Sequence, residues 1–154
     1  MHKYVALLLV PVMATYAAEL PSKKYLNLAA IKTMVAASES KAKELNVGVT
    51  ICIVDESGNL LFLEKGDGAS LNTLQFAQKK ARDAAAYGSP SREAAESVKK
   101  GNVQNLAFPD FFPNQGGLPI RVDGQLIGGI AASGAKSEID EQIAQAGLDA
   151  LLAK

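Results

Sequence analysis

The chain has 154 residues, with 16 basic and 16 acidic side chains, one Cys, one His and no Trp. That length suits one domain rather than two, and the zero formal charge excludes the basic excess expected of a nucleic-acid binder. A lone Cys and a lone His exclude an intramolecular disulfide framework, a Cys-rich zinc site and a multi-histidine metal centre.

Met1, His2 and Lys3 give a weakly basic start, residues 5–14 are almost wholly apolar, and Thr15, Ala17 and Ala18 are small. This layout predicts a secretory signal peptide over residues 1–18, cut after Ala17 or Ala18, and hence an exported protein, periplasmic or secreted. The apolar run is interrupted by Pro11 and falls well short of the roughly 20 residues that span a bilayer. No membrane span is expected once the leader is removed. The opposing reading is an uncleaved apolar arm that packs on the body. Cleavage would remove His2, the chain's one imidazole, so chemistry in the mature protein has to proceed without it.

The body, residues 19–154, reads as a single domain. Asn27 precedes Leu28, Ile31, Val35, Ala42 and Leu45, apolar positions at helical spacing that stop near Asn46 and Gly48. Residues 48–54 and 59–63 are strand-like and flank a turn at Asp55–Gly58, which predicts a hairpin. Cys52 lies in the first of these strands, a β-branched run that favours an inert core thiol. Ser70 is placed to cap a second helix, rich in alanine, which ends at Tyr87–Gly88; Ser89-Pro90-Ser91 opens a shorter helix through about Lys100. Residues 102–117 are irregular, since Pro109 and Pro113 among Phe108, Phe111 and Phe112 fit neither a helix nor a central strand. Residues 118–122 and 125–132 form a second hairpin around Asp123-Gly124, a turn of the primed type. Ser137 with Asp140 resembles a capping box that opens the last helix. The order α-β-β-α-α-β-β-α predicts an α+β fold, an antiparallel sheet covered by helices.

Four features are candidates for chemistry, and each has a plain structural counterpart. Gly129 to Ser137 approaches a phosphate-binding loop, but one extra Ala spoils the spacing, so no nucleotide is expected. Ser133, Gly134 and the amides that follow could instead hold a carboxylate, or simply turn a strand into a helix. Gly116 and Gly117 allow close backbone approach to a ligand, or only a tight entry to Pro119. Lys79, Lys80, Arg82 and Asp83 are a charged face of the alanine-rich helix, with Lys79 and Arg82 on one side and Lys80 pointing elsewhere. Phe108, Phe111 and Phe112 could wall a flat apolar ligand, make a subunit contact or plug the core.

Taken together, residues 49–58 (VTICIVDESG), 66–69 (GDGA), 78–91 (QKKARDAAAYGSPS), 116–120 (GGLPI), 124–134 (GQLIGGIAASG) and the Asp140-Glu141 segment resemble the GlcG/HbpS-like haem-binding (haem-degrading) domain family. The resemblance implies a profilin-like sheet between helical layers, homo-oligomers, and haem or another tetrapyrrole as ligand, with haem breakdown in some members. It places Lys80-Ala81, Gly116-Gly117, Ser133-Gly134 and Asp140-Glu141 around a common pocket. Propionates would then pair with Lys80 or Arg82, with the ring against Phe111 and Phe112. With no imidazole in the mature chain, the iron would be met by Tyr25, Tyr87, Met34, a Lys, a hydroxyl, water or no protein group. Two other readings stand beside this one. One is an isomerase- or hydratase-like enzyme acting on a small carboxylate or hydroxy acid, with Lys80 as electrophile or base and Asp140 or Glu141 as proton partner. The other is a non-catalytic assembly protein.

Overall fold

The computed structural model describes residues 18–153, so the expected leader lies, but for its last residue, outside the described residues. Helix α1 (Leu28–Glu44) leads into strands β1 (Thr50–Asp55) and β2 (Leu60–Lys65). Helices α2 (Thr73–Tyr87) and α3 (Ser91–Lys99) and a short 3-10 turn at Val103–Ala107 follow; strands β3 (Gly117–Val122) and β4 (Gln125–Ser133) and helix α4 (Ser137–Leu152) complete the chain. The four strands form one antiparallel sheet in the order β2-β1-β4-β3, as the α+β reading expects.

β1 is central and buried on both faces. Ile51 and Ile53 join Ile120, Ile130 and Ile143 in the larger core beneath α1 and α4. Cys52 and Val54 face α2 in a smaller core with Ala77, Ala81, Ala85 and Ala131. Burial pushes the Cys52 thiol up to about 12, so it is an inert core group. The alanines bring α2 close to the sheet: a Cβ on Gly129 would lie 2.3 Å from the Ala81 carbonyl oxygen. Only a strand surface this flat lets the helix sit there.

Local signals hold at several boundaries. Asn27 Oδ1 accepts the Ala30 N–H at 2.8 Å and caps α1. Asp123 (φ 49°) and Gly124 (φ 80°) make the left-handed pair that the primed hairpin turn requires. α3 opens within Ser89–Ser91 as expected, with Pro90 as its cap residue and Ser91 buried. Two caps differ from expectation. α2 begins at Thr73 with Asn72, not Ser70, as its cap residue, and the Thr73 hydroxyl donates to the Ser70 carbonyl at 2.6 Å. Ser137 is the first residue of α4 and not its cap; the carboxylate of Asp140 reaches back to the Ala135 N–H at 2.9 Å instead.

Residues 23–26 lie across the hairpin end of the sheet. Lys23 pairs with Glu56 in the first turn, Lys24 pairs with Asp123 in the second, and Leu26 is buried in the larger core. Among the described residues no helix is long and apolar enough to cross a membrane.

Candidate functional site

A helix rotates about 100° per residue, so Lys79, Lys80, Arg82 and Asp83 leave α2 toward different surroundings. Lys80 points into the protein and is 2% exposed. Its Nζ lies 2.7 Å from Asp140 Oδ2 on α4 and 3.3 Å from the Ala132 carbonyl on β4. Burial drives the Asp140 carboxyl above its usual range; the hydrogen bond and charge of Lys80 and the amides of Ala135 and Gly134 offset only part of that.

The glycine pair is pressed onto this ion pair. A Cβ on Gly116 would lie 2.8 Å from Lys80 Nζ and 2.9 Å from Asp140 Cβ, and its φ of +127° suits glycine alone. A Cβ on Gly117 would come within 2.2 Å of the Lys80 carbonyl oxygen. Ser91 Oγ accepts the Gly117 N–H at 2.9 Å and donates to the Asn114 carbonyl at 2.7 Å, fixing the approach to β3. On α4, Glu141 Oε1 accepts from Arg92 of α3 at 2.5 Å, while its Oε2 is buried with no hydrogen-bond partner among the described residues.

The sequence motifs at Lys80, Gly116-Gly117, Ser133-Gly134 and Asp140-Glu141 therefore do converge, but on a closed joint rather than an open pocket. Lys80 Nζ is buried against Asp140 and the Ala132 carbonyl, and Gly116 and Gly117 pack on Lys80. At the Ser133–Gly134 turn the following amide of Ala135 is met by the chain's own Asp140 carboxylate. Ser133 itself is buried opposite Thr50 in the β1–β4 ladder, and Gly134 is exposed.

The opposite side of α2 is open. Lys79 and Arg82 line a cavity of about 220 Å³ with Asp110, Phe111 and Phe112. Lys79 Nζ stands 5.5 Å from the centre of the Phe112 ring, within cation–π reach, and Phe76 packs on that ring at 5.8 Å. Arg82 is held by its Nε, which donates to the Gly58 carbonyl at 3.1 Å. Tyr87 stands edge-on to Phe111 at 5.8 Å and donates its hydroxyl to the Pro109 carbonyl at 2.7 Å. Val103, Leu106 and Phe108, on the 3-10 turn and at its end, are each more than half exposed.

Asp83 anchors the loop from below. It is 1% exposed, and its Oδ1 accepts the Phe112 N–H at 2.8 Å. Burial, with a further push from Asp110, raises its carboxyl to about 6 although the Phe112 hydrogen bond pulls the other way. Asp110 sits at φ 57°, a left-handed position that turns the loop back over α2.

Arg82, Phe111 and Phe112 line one cavity, and Tyr87 lines the neighbouring one on the other side of Phe111. Lys79 takes the place expected of Lys80, and the helical spacing of Lys79 with Arg82 already marked it. Asp83 as the loop's anchor had no signal beyond its charge. Of the side chains considered for iron, Met34 is sealed in the larger core, Tyr25 is exposed on the strap, and Tyr87 stands at the rim of the Phe loop. Among the described residues, no group of three or more His, Cys, Asp or Glu is placed to hold a metal ion.

A family model described as haem degrading protein HbpS-like matches residues 26–149. An uncharacterised 15.0 kDa protein from the dhaT-dhaS intergenic region of Citrobacter freundii is 32% identical over 133 residues, covering 80% of this chain and 90% of that protein. Among solved structures, the Klebsiella pneumoniae protein ORFY superposes with a TM-score of 0.82 at 30% identity, over 91% of this chain and 99% of its own. The structure of a PduOC:heme complex superposes with a TM-score of 0.76 at 29% identity, over 82% and 95% of the two chains.

Proposed function

The chain belongs to the HbpS-like family, and from that premise we propose that it binds haem or a related tetrapyrrole at the Phe loop, on the outer side of α2. The observation that carries this reading is the cavity in which two aromatic rings, Phe111 and Phe112, meet two cations, Lys79 and Arg82. A porphyrin is a flat apolar ring with two carboxylates on one edge, and that cavity offers both complements. The PduOC relative, whose structure is a complex with heme, supports the ligand class.

The donor set suits the ring and its propionates better than the iron. Lys79 and Arg82 would hold the carboxylates; Phe111 and Phe112 would take one edge of the ring. The cavity encloses only part of a macrocycle. A second subunit laid on Val103, Leu106 and Phe108 would cover the remainder, which fits a homo-oligomer. Bound haem would supply redox chemistry; the chain's part is to bind, orient and partly shield it. Residues 1–18 would act as an export leader, and haem breakdown is an activity to assay on the loaded protein.

The small-acid reading finds less support. Lys80 and Asp140 are sealed, so a substrate could reach them only if α2 and α4 parted.

The test is an absorbance titration of the untagged mature protein with ferric haemin, since tag imidazoles would bind iron themselves. A saturable Soret shift is expected, with affinity about ten-fold weaker in Phe112→Ala and in Lys79→Ala. Unsaturable changes like those of a control protein, or affinities untouched by both substitutions, would remove the reading.

A further inference from the structure

Asp83 lies under the cavity without facing its ligand, and one contact links it to the aromatic wall. Its Oδ1 accepts the backbone N–H of Phe112 at 2.8 Å. Phe112 is also the residue on which Phe76 and Lys79 converge. The next residue back, Phe111, forms a wall shared by two cavities. One is the Lys79–Arg82 cavity, and the other, of about 170 Å³, is lined by Asp83, Tyr87 and Glu93 among others. The loop is otherwise tied to α2 by the Tyr87 hydroxyl on the Pro109 carbonyl. Two side chains of one helix thus hold a segment that has little regular structure of its own.

We propose that Asp83 is a positioning residue for the Phe loop, and that its carboxyl oxygen holds Phe112 in the place from which the ring closes on a bound ligand. The proposal rests on the reading of this cavity as the tetrapyrrole site. The bond from Phe112 favours the ionised carboxylate, but burial and the loop's own Asp110 outweigh it, so the loop closes best over the protonated carboxyl and loosens as Asp83 ionises. The groups facing Asp83 bring no positive charge: Asp110 from the loop, Tyr87 from its own helix and Glu93 from α3. Lys79 and Arg82 lie beyond the Phe wall in the neighbouring cavity, and among the described residues neither forms an ion pair with Asp83. Burial without a cation leaves the carboxyl titrating near neutrality, close to 6, where a modest pH change alters its charge. Loop and ligand should respond together in that range.

Two readouts separate the claims. The first uses no haem: the Phe112 amide resonance of the isotopically labelled protein is followed by NMR from pH 4.5 to 7.5. It should move with a midpoint near 6 in the parent protein. In Asp83→Asn, whose side-chain oxygen still accepts the amide, that movement should vanish. In Asp110→Asn, which keeps Asp83 and removes a repelling charge, the midpoint should fall. The second readout is ferric haemin affinity over the same range. The parent should bind about five-fold more tightly at pH 5 than at pH 7.5, after correction by a parallel control for haemin's own titration. Asp83→Asn should be flat at the tighter level.

An amide that does not titrate, or that titrates unchanged in Asp83→Asn, overturns the positioning role. The role is overturned equally if the amide behaves as expected but both proteins bind haemin with one pH profile. If the amide titrates through Asp83 and haemin binds at no pH, the tetrapyrrole reading falls and the hold of Asp83 on the loop stands.

Discussion

Lys79 and Lys80 are neighbours on one helix with opposite surroundings. Lys80 enters a buried joint where α2, β4, α4 and the Gly116 turn meet, bonded to Asp140 and the Ala132 carbonyl. Lys79 opens onto a half-formed cavity of aromatic rings whose second cation is Arg82. The stretch 78–91 by which the family is recognised feeds both sides of the helix: Lys80 and Ala81 go to the sealed joint, Lys79 and Arg82 to the open cavity. One motif can therefore carry both the frame of a site and the groups that face outward from it. For the proposed ligand, the lysine to substitute is Lys79.

The sharpest test of this contrast is stability. Lys80→Ala or Asp140→Ala strands a buried charge and should cost about 3–5 kcal/mol in denaturant unfolding. Lys79→Ala should cost less than about 0.5 kcal/mol. The double variant Lys80→Met, Asp140→Leu should recover part of the loss, because it removes both charges but leaves the Ala135 amide without its acceptor. If Lys80→Ala instead left stability intact and abolished ligand binding, the division between the sealed and open sides would be reversed. Gly116→Ala should follow at roughly 2 kcal/mol, from its positive φ and the crowding of Lys80 Nζ. On the open side, Arg82→Ala should weaken haemin binding several-fold and also loosen the turn at Gly58, which its Nε holds.

A smaller effect concerns pH. The folded chain binds the Asp83 proton more tightly than the unfolded chain does, with the carboxyl at about 6 against an ordinary 3.8. The stability this group contributes is therefore fullest below about pH 3.8 and is lost as pH rises through about 6. Relative to Asp83→Asn, the parent's melting temperature should fall between pH 4 and 7 and run parallel above that. Asn27→Ala, which removes the α1 cap, should cost about 1 kcal/mol at any pH in this range.

What could be read from the sequence follows the reach of each interaction. Asn27 caps a helix three residues on, Asp123-Gly124 closes a turn by its own backbone, and the alanines of α2 announce close packing wherever the helix lands. These are local properties. The partner of Lys80 lies 60 residues away, and no spacing rule links the two. Ser137 fits a capping pattern, yet the Asp140 carboxylate reaches a deeper amide first and also takes the lysine. The Phe loop could be seen as irregular and apolar, but its fixed shape depends on Asp83, which reads in isolation as one more surface charge.

The Tyr87 contacts have an optical consequence. The chain has no Trp and four Tyr, of which Tyr4 and Tyr16 fall in the expected leader. After export, ultraviolet emission would come from Tyr25 on the strap and Tyr87 at the Phe loop. In Tyr25→Phe the one remaining emitter would be the phenol seated against Phe111 and bonded to Pro109. Its light would be quenched by an absorbing macrocycle only a few ångströms away. The mature protein would thus signal occupancy from within, with no dye and no label.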